Sequence, residues 1–126
     1  MAELTGLAPV LLVPDVEAAL EHYRELLGFD VEPYLDGGEA IYGYATRDGC
    51  NLHLARCEEG ARPNDRVSPM MFDVYLWADD VEALHDEFVA RGADVLHPPV
   101  DRPYGLREIR VRDLNGYVLG IGAPLA

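Results

Sequence analysis

The sequence predicts an α+β fold over residues 1–126, in which one pattern (a strand, a helix and about three more strands) is written twice, with modules at about 4–57 and 70–123. Three observations predict it. The tetrapeptide "DVEA" begins at Asp15 and again at Asp80, an offset of 65 residues. A glycine stops each helical stretch, Gly28 and Gly92, 64 residues apart, and Asp-Val follows each, as Asp30-Val31 and Asp94-Val95. Arg-Asp opens a glycine turn in both "RDGCNLHLARC" and "RDLNGYVLGIG". One helix shields only one face of a sheet, so two modules side by side give a concave mixed sheet with helices on the outer face and an open trough on the other.

Taken in order, "PVLLV" is the first strand, and Asp15 is the N-cap of a helix with Val16, Ala19, Leu20, Tyr23 and Leu27 at helical spacing. Gly28 ends that helix. The hairpin "YLDGGEAIYGYA" offers Tyr34, Tyr42 and Tyr44, in a register the sequence leaves open. In "NLHLA", Leu52 and Leu54 face the helices, so Asn51, His53 and Ala55 face the trough. "VYLWA" repeats the first strand, with Val74, Leu76 and Ala78 inward and Asp73, Tyr75 and Trp77 on the trough side. Asp80, Val81, Leu84, Phe88 and Gly92 repeat the first helix. In "REIRVRD", Ile109 and Val111 take the core, leaving Glu108, Arg110 and Arg112 at the trough or its rim. His22, His85 and His97 are expected on the solvent side.

Composition narrows the chemistry. Apolar residues make up 49% and charged residues 26%, with no apolar run long enough to span a membrane. A net charge of −13 repels phosphate backbones and attracts cations, which argues against nucleic acid as a partner. The opening "MAELTGLAPVLLVPDV" carries an acidic residue where a signal peptide needs basic ones, so a cytoplasmic location is expected. Cys50 and Cys57 share one strand, at roughly 23 Å, too far for a disulfide. Lysine is absent, which excludes Schiff-base chemistry, and the only serine, Ser68, sits before Pro69 without a nucleophile elbow.

The stretches "VPDVEAALEHYRELLGF" and "RPYGLREIRVRDLNGY" resemble the vicinal oxygen chelate superfamily of glyoxalases, extradiol dioxygenases and bleomycin resistance proteins, over about residues 4–123. "LTGLAPVL" and the run from "PYG" to "REIRVRD" most resemble the bleomycin resistance proteins. The resemblance implies paired βαβββ modules and four potential metal-ligand positions, which fall on Ala8, His53, Asp73 and Gly120. Alanine and glycine offer no donor, and a catalytic zinc or iron normally takes three protein ligands. No metal and no cofactor is therefore expected. The resemblance also implies a homodimer with ligand grooves at the subunit interface and an N-terminal strand exchanged near Pro9.

The function expected is sequestration of a small cationic, aromatic antibiotic or metabolite by stacking and charge, with His53, Asp73, Tyr75, Trp77, Glu108, Tyr42, Tyr44 and Tyr104 as the ligand-binding residues. Tyr75 and Trp77 equally suit half-buried sheet aromatics, Glu108 with Arg110 a cross-strand charge pair, and His53 a buried histidine bonded to a neighbour such as Asp73. One alternative is a metal-dependent glyoxalase- or dioxygenase-like enzyme using His53, Asp73 and Glu108. Another is a metal-free enzyme with His53 as base, oriented by Asp73.

Overall fold

Asp15 and Asp80 do what their place before an apolar run requires. In a computed structural model that describes residues 1–126, both have extended backbones, and their carboxylates accept the amides of Ala18 and Ala83 at 3.0 Å. The helices they start, α1 (Val16–Leu27) and α2 (Val81–Arg91), end at Gly28 and Gly92, with φ of 73° and 84° in the left-handed region. No helix is long and apolar enough to cross a membrane.

The strands are β1 (Val10–Val13), β2 (Asp30–Asp36), β3 (Glu39–Arg47), β4 (Cys50–Arg56), β5 (Val74–Trp77), β6 (Asp94–Val95), β7 (Val100–Asp101), β8 (Leu106–Arg112) and β9 (Val118–Pro124). They form two mixed sheets, ordered β1-β4-β3-β2 and β5-β9-β8-β6, with β7 also paired to β8. In each half the first strand runs parallel to the last, β1 to β4 and β5 to β9, and the remaining pairs are antiparallel. The fold is α+β, as expected, but the single curved sheet is two hydrogen-bonded sheets. The second module also departs from three strands after its helix, because Pro98 and Pro99 divide what would be one strand into β6 and β7.

One core of 20 buried residues runs through both halves, from Leu11, Val13, Leu20, Leu27, Leu52 and Leu54 to Val74, Phe88, Ile109, Val111 and Ile121. Polar side chains join the halves. Tyr23 of α1 donates to Asp113 Oδ2 at 2.7 Å, and the Tyr117 hydroxyl donates to the Leu12 carbonyl. Arg47 of β3 donates to Leu27 O at 2.7 Å and to both carboxylate oxygens of Glu87 on α2. Arg91 of α2 donates to the same Glu87 and to Glu25 O.

The two Arg-Asp turns differ. Asp48 and Gly49, with φ of 51° and 80°, make the two-residue hairpin turn between β3 and β4, and the Asp48 side chain is exposed. Asp113 is buried: its Oδ1 accepts the amides of Asn115 and Tyr117, its Oδ2 the hydroxyl of Tyr23. Burial pushes the Asp113 carboxyl above its usual range, against the pull of those hydrogen bonds. His22, on α1, is half-buried and not on the solvent side as expected: its Nε2 is buried, and burial pushes the imidazole pKa down.

Candidate functional site

The strand pairing settles the hairpin register that the sequence left open. Tyr44 pairs with His53 and Tyr42 with Ala55, so both tyrosines stand on the trough face with His53, while Gly43 and Ala45 face the core. Gly43 is required there, since a Cβ would lie 2.8 Å from the Leu20 side chain of α1. Tyr42 and His53 Nδ1 are hydrogen-bonded at 2.8 Å, and the rings of Tyr42, Tyr44 and His53 meet edge to face at 5.1–5.5 Å between centroids. The N-terminal face is thus an aromatic cluster, with Tyr34 opposite Tyr42 at its edge.

The C-terminal face is built around Glu108, which has 0% exposure. Each carboxylate oxygen accepts two hydrogen bonds. Oε1 takes the hydroxyls of Tyr75, at 3.0 Å, and Tyr104, at 2.5 Å; Oε2 takes Nε of Arg102, at 3.1 Å, and of Arg110, at 3.0 Å. Desolvation pushes the Glu108 carboxyl up, but the hydrogen bonds from Tyr104, Arg110 and Tyr75 outweigh it and hold the group below the usual range. Burial and the neighbouring Glu108 push the Tyr75 hydroxyl well above the ordinary phenol range. Phe72, Tyr75 and Trp77 form a row, with centroids 5.0 and 5.2 Å apart, and the Arg110 guanidinium lies 5.3 Å above the Phe72 ring. Trp77 ends the row with 69% of its surface exposed.

Tyr75 lies down because nothing stands beneath it. Its ring rests on Gly120 and Gly122 of β9, where a Cβ on Gly120 would sit 2.8 Å from the ring and one on Gly122 would overlap the hydroxyl. Beside this row, Leu7, Ala8, Pro9, Asn51, Tyr75 and Trp77 border a cavity of 600 Å³, within the size range of small-ligand sites.

The residues present do not fit a catalytic metal. Ala8 and Gly120 carry no donor, and no three His, Cys, Asp or Glu side chains come together. Asp73 is committed to the backbone: Oδ1 accepts the Asn64 amide at 2.7 Å and Oδ2 the Val118 amide at 2.9 Å. This corrects two expectations. His53, Asp73 and Glu108 do not assemble into a ligand set, and Tyr42, not Asp73, is the partner of His53 Nδ1. Glu108 positions arginines and tyrosines and presents no surface of its own.

His97, expected in solvent, belongs to this network. Its Nδ1 lies 2.8 Å from the Pro98 carbonyl and its Nε2 3.1 Å from Arg102 Nη2, partners that assign the proton to Nδ1. Neither His97 nor Arg102 was found from sequence, because "HPPVDRPYG" has no strand periodicity to assign a face.

A family model described as the Glyoxalase/Bleomycin resistance protein/Dioxygenase superfamily matches residues 6–121. The chain belongs to that superfamily. Among curated relatives, the protein CFP32 of Mycobacterium tuberculosis and Mycobacterium bovis, whose name assigns it provisionally to the glyoxylases, is 30% identical over 114 residues. The match covers 88% of this chain and 42% of CFP32, so the chain spans less than half the length of that relative. Among solved structures, the bleomycin-binding protein of Streptomyces verticillus complexed with copper(II)-bleomycin is 26% identical, with a TM-score of 0.68 over 100% of this chain and 99% of that one. A glyoxalase-related enzyme from Clostridium phytofermentans shares the fold at a TM-score of 0.80 and 18% identity, over 98% of both chains.

Proposed function

We propose that this superfamily member is a small-molecule binding protein of the bleomycin resistance type, holding a flat aromatic antibiotic or metabolite in its trough without changing it. The observation that carries the reading is Tyr75, laid over Gly120 and Gly122 with Trp77 beside it. At a position where the resemblance implies a metal ligand, this chain offers a ring surface instead. The aromatic cluster of Tyr42, Tyr44 and His53 gives the other half of the trough the same character. A net charge of −13 favours a ligand with a positive group through a long-range field, since Asp73 and Glu108 are already fully engaged. The similarity to a bleomycin-binding protein supports the same ligand class.

The reading includes a homodimer whose grooves are completed by the partner. Met1–Leu7 have no regular structure and are fully exposed, with Leu4 at 99% and Leu7 at 84%, apolar surface that a second copy would cover. Light scattering should give twice 13.9 kDa, and a monomer throughout the micromolar range would remove the interface from the proposal. It also places the protein in a reducing cytoplasm, in keeping with the free thiols Cys50 and Cys57.

Calorimetric titration with a bleomycin, followed by mass analysis of the recovered ligand, tests the function. Binding with unchanged mass is expected, together with a fluorescence change in Trp77, the only tryptophan. Trp77→Ala should weaken binding by about 1 kcal/mol or more. A recovered ligand of altered mass, or stoichiometric metal lost on His53→Ala, would replace sequestration with catalysis.

A further inference from the structure

At the end of the C-terminal face away from Trp77, Arg102, Arg110, Arg112 and His97 border a cavity of about 220 Å³, with Met70, Met71, Leu96 and Val118 as its apolar walls. We propose that this cavity is a subsite for an oxyanion, a carboxylate or phosphate group carried by the trough ligand. The inference rests on the trough being a ligand site.

Four observations support it. The chain has only 10 basic residues against 23 acidic ones, yet three of the ten line this one cavity against two carboxylates, Glu108 and Asp65. This is a locally cationic spot on a molecule of net charge −13. The arginines are held in place: Arg102 and Arg110 by Glu108 Oε2, Arg110 also by the Met70 carbonyl and the Phe72 ring, and Arg112 by Asp65 at 2.8 Å. Donors remain after these bonds, for Arg102 Nη1 and the Nε and Nη2 of Arg112 have no acceptor in the protein. Preordered guanidinium forks with free donors match a planar or tetrahedral oxyanion, and the apolar walls strengthen such bonds by excluding water. Asp65 leaves Arg112 only partly neutralised, with 36% of its side chain exposed.

The spacing defines the ligand. Val118 and Gly122 mark the two ends on β9, opposite Arg112 and Trp77, and four residues of strand span about 13 Å. A ligand filling both places carries its ring system and its anionic group about that far apart. The overall field opposes an approaching anion but is screened within about 8 Å at physiological salt, so the short-range hydrogen bonds decide.

Three probes test this at constant ionic strength: inorganic phosphate, an ω-(2-naphthyl)alkanoate whose extended chain sets ring and carboxylate about 13 Å apart (naphthoate below), and its neutral carboxamide (naphthamide below). Phosphate should shift the Nε–H resonances of Arg102, Arg110 and Arg112 while leaving the Trp77 indole signal in place. Naphthoate should bind at least tenfold more tightly than naphthamide, and R112Q and R102Q should each reduce that preference toward unity. Equal affinity for the two naphthalenes, or a naphthoate preference unchanged in both variants, would overturn the subsite. If a variant fails to fold, the comparison of the two naphthalenes on the unaltered protein still decides. The two readings fail separately. A Trp77 response to naphthamide with no arginine response to phosphate refutes the subsite alone. An arginine response to phosphate with no Trp77 response to either naphthalene upholds the oxyanion site and refutes stacking.

Discussion

Where β4 carries His53 and Ala55 toward the trough, opposite Val10 and Leu12, β9 carries Gly120 and Gly122 at the same ladder positions, opposite Tyr75 and Trp77. On the N-terminal sheet the side chains therefore rise from the last strand, and the tyrosines of β3 lean on them. On the C-terminal sheet the last strand is bare and the first strand's tyrosine lies across it. The same repeated backbone thus yields an upright aromatic cluster on one side and, on the other, a flat ring fastened to a charged network. The difference shows that a small change in side-chain volume on one strand decides which strand supplies the surface of the trough.

The two Arg-Asp turns make the strongest test of how far the halves have diverged. Asp113→Ala removes the acceptor of Tyr23 and of two amides, leaving a buried hydroxyl without a partner, and should destabilise the protein by about 3 kcal/mol in urea denaturation. Asp48→Asn, on the exposed matching turn, should change stability by no more than about 0.5 kcal/mol. Similar losses at both turns would show that the apparent contrast is not energetic.

A smaller effect is expected at the bare strand. Gly122→Ala places a methyl group against the Tyr75 hydroxyl and should cost about 1–3 kcal/mol. In a Tyr75→Ala background the same substitution should cost much less, and a double-mutant cycle reads the coupling. Additive losses would mean that the ring does not depend on the glycines.

The smallest effect is one of slope with pH. Glu108 titrates below the ordinary value of 4.5, so its contribution is complete above that value and is lost as pH falls through the folded pKa. Asp113 titrates above its ordinary value of 3.8, so its contribution is present below that value and is lost as pH rises through the folded pKa. The signs are opposite. Urea midpoints followed from about pH 5 down to about pH 3 should fall less steeply in Glu108→Gln than in the unaltered protein, and more steeply in Asp113→Asn. A steeper fall in Glu108→Gln would reverse the sign assigned to that group.

Much of the fold was legible because it rests on local rules. Asp15, Asp80, Gly28 and Gly92 signal their helix ends through hydrogen-bonding capacity and backbone freedom, and strand alternation placed His53, Tyr75 and Glu108 on the correct face. What escaped depends on neighbours distant in sequence. Asp73 faces the trough by parity, but Asn64 and Val118 amides claim it, a fact carried by loop closure and not by the strand. The register of Tyr42 and Tyr44 follows from the two-residue turn at Asp48-Gly49: the Asp-Gly pair signals a tight turn, but the face of each tyrosine depends on the pairing of Arg47 with Cys50 across it, which strand alternation alone does not fix. His97 was misplaced because the two prolines after it hide the return of the chain to β8.

The arginines at the seam have a kinetic meaning. The last carbonyls of α1, at Glu25 and Leu27, are bonded by Arg91 of α2 and Arg47 of β3, and one Glu87 carboxylate holds both guanidinium groups. One cap on the end of α1, Arg91, and the carboxylate that anchors the other, Glu87, therefore come from the second module. Slow amide exchange in α1 and α2 should then report a single opening event, and a polypeptide ending after β4 should leave the Glu25 carbonyl uncapped and Arg47 without its carboxylate, loosening the last turn of α1. Duplication in the sequence does not imply two independent folding events: the second copy carries Arg91 and Glu87, which brace the end of the first helix.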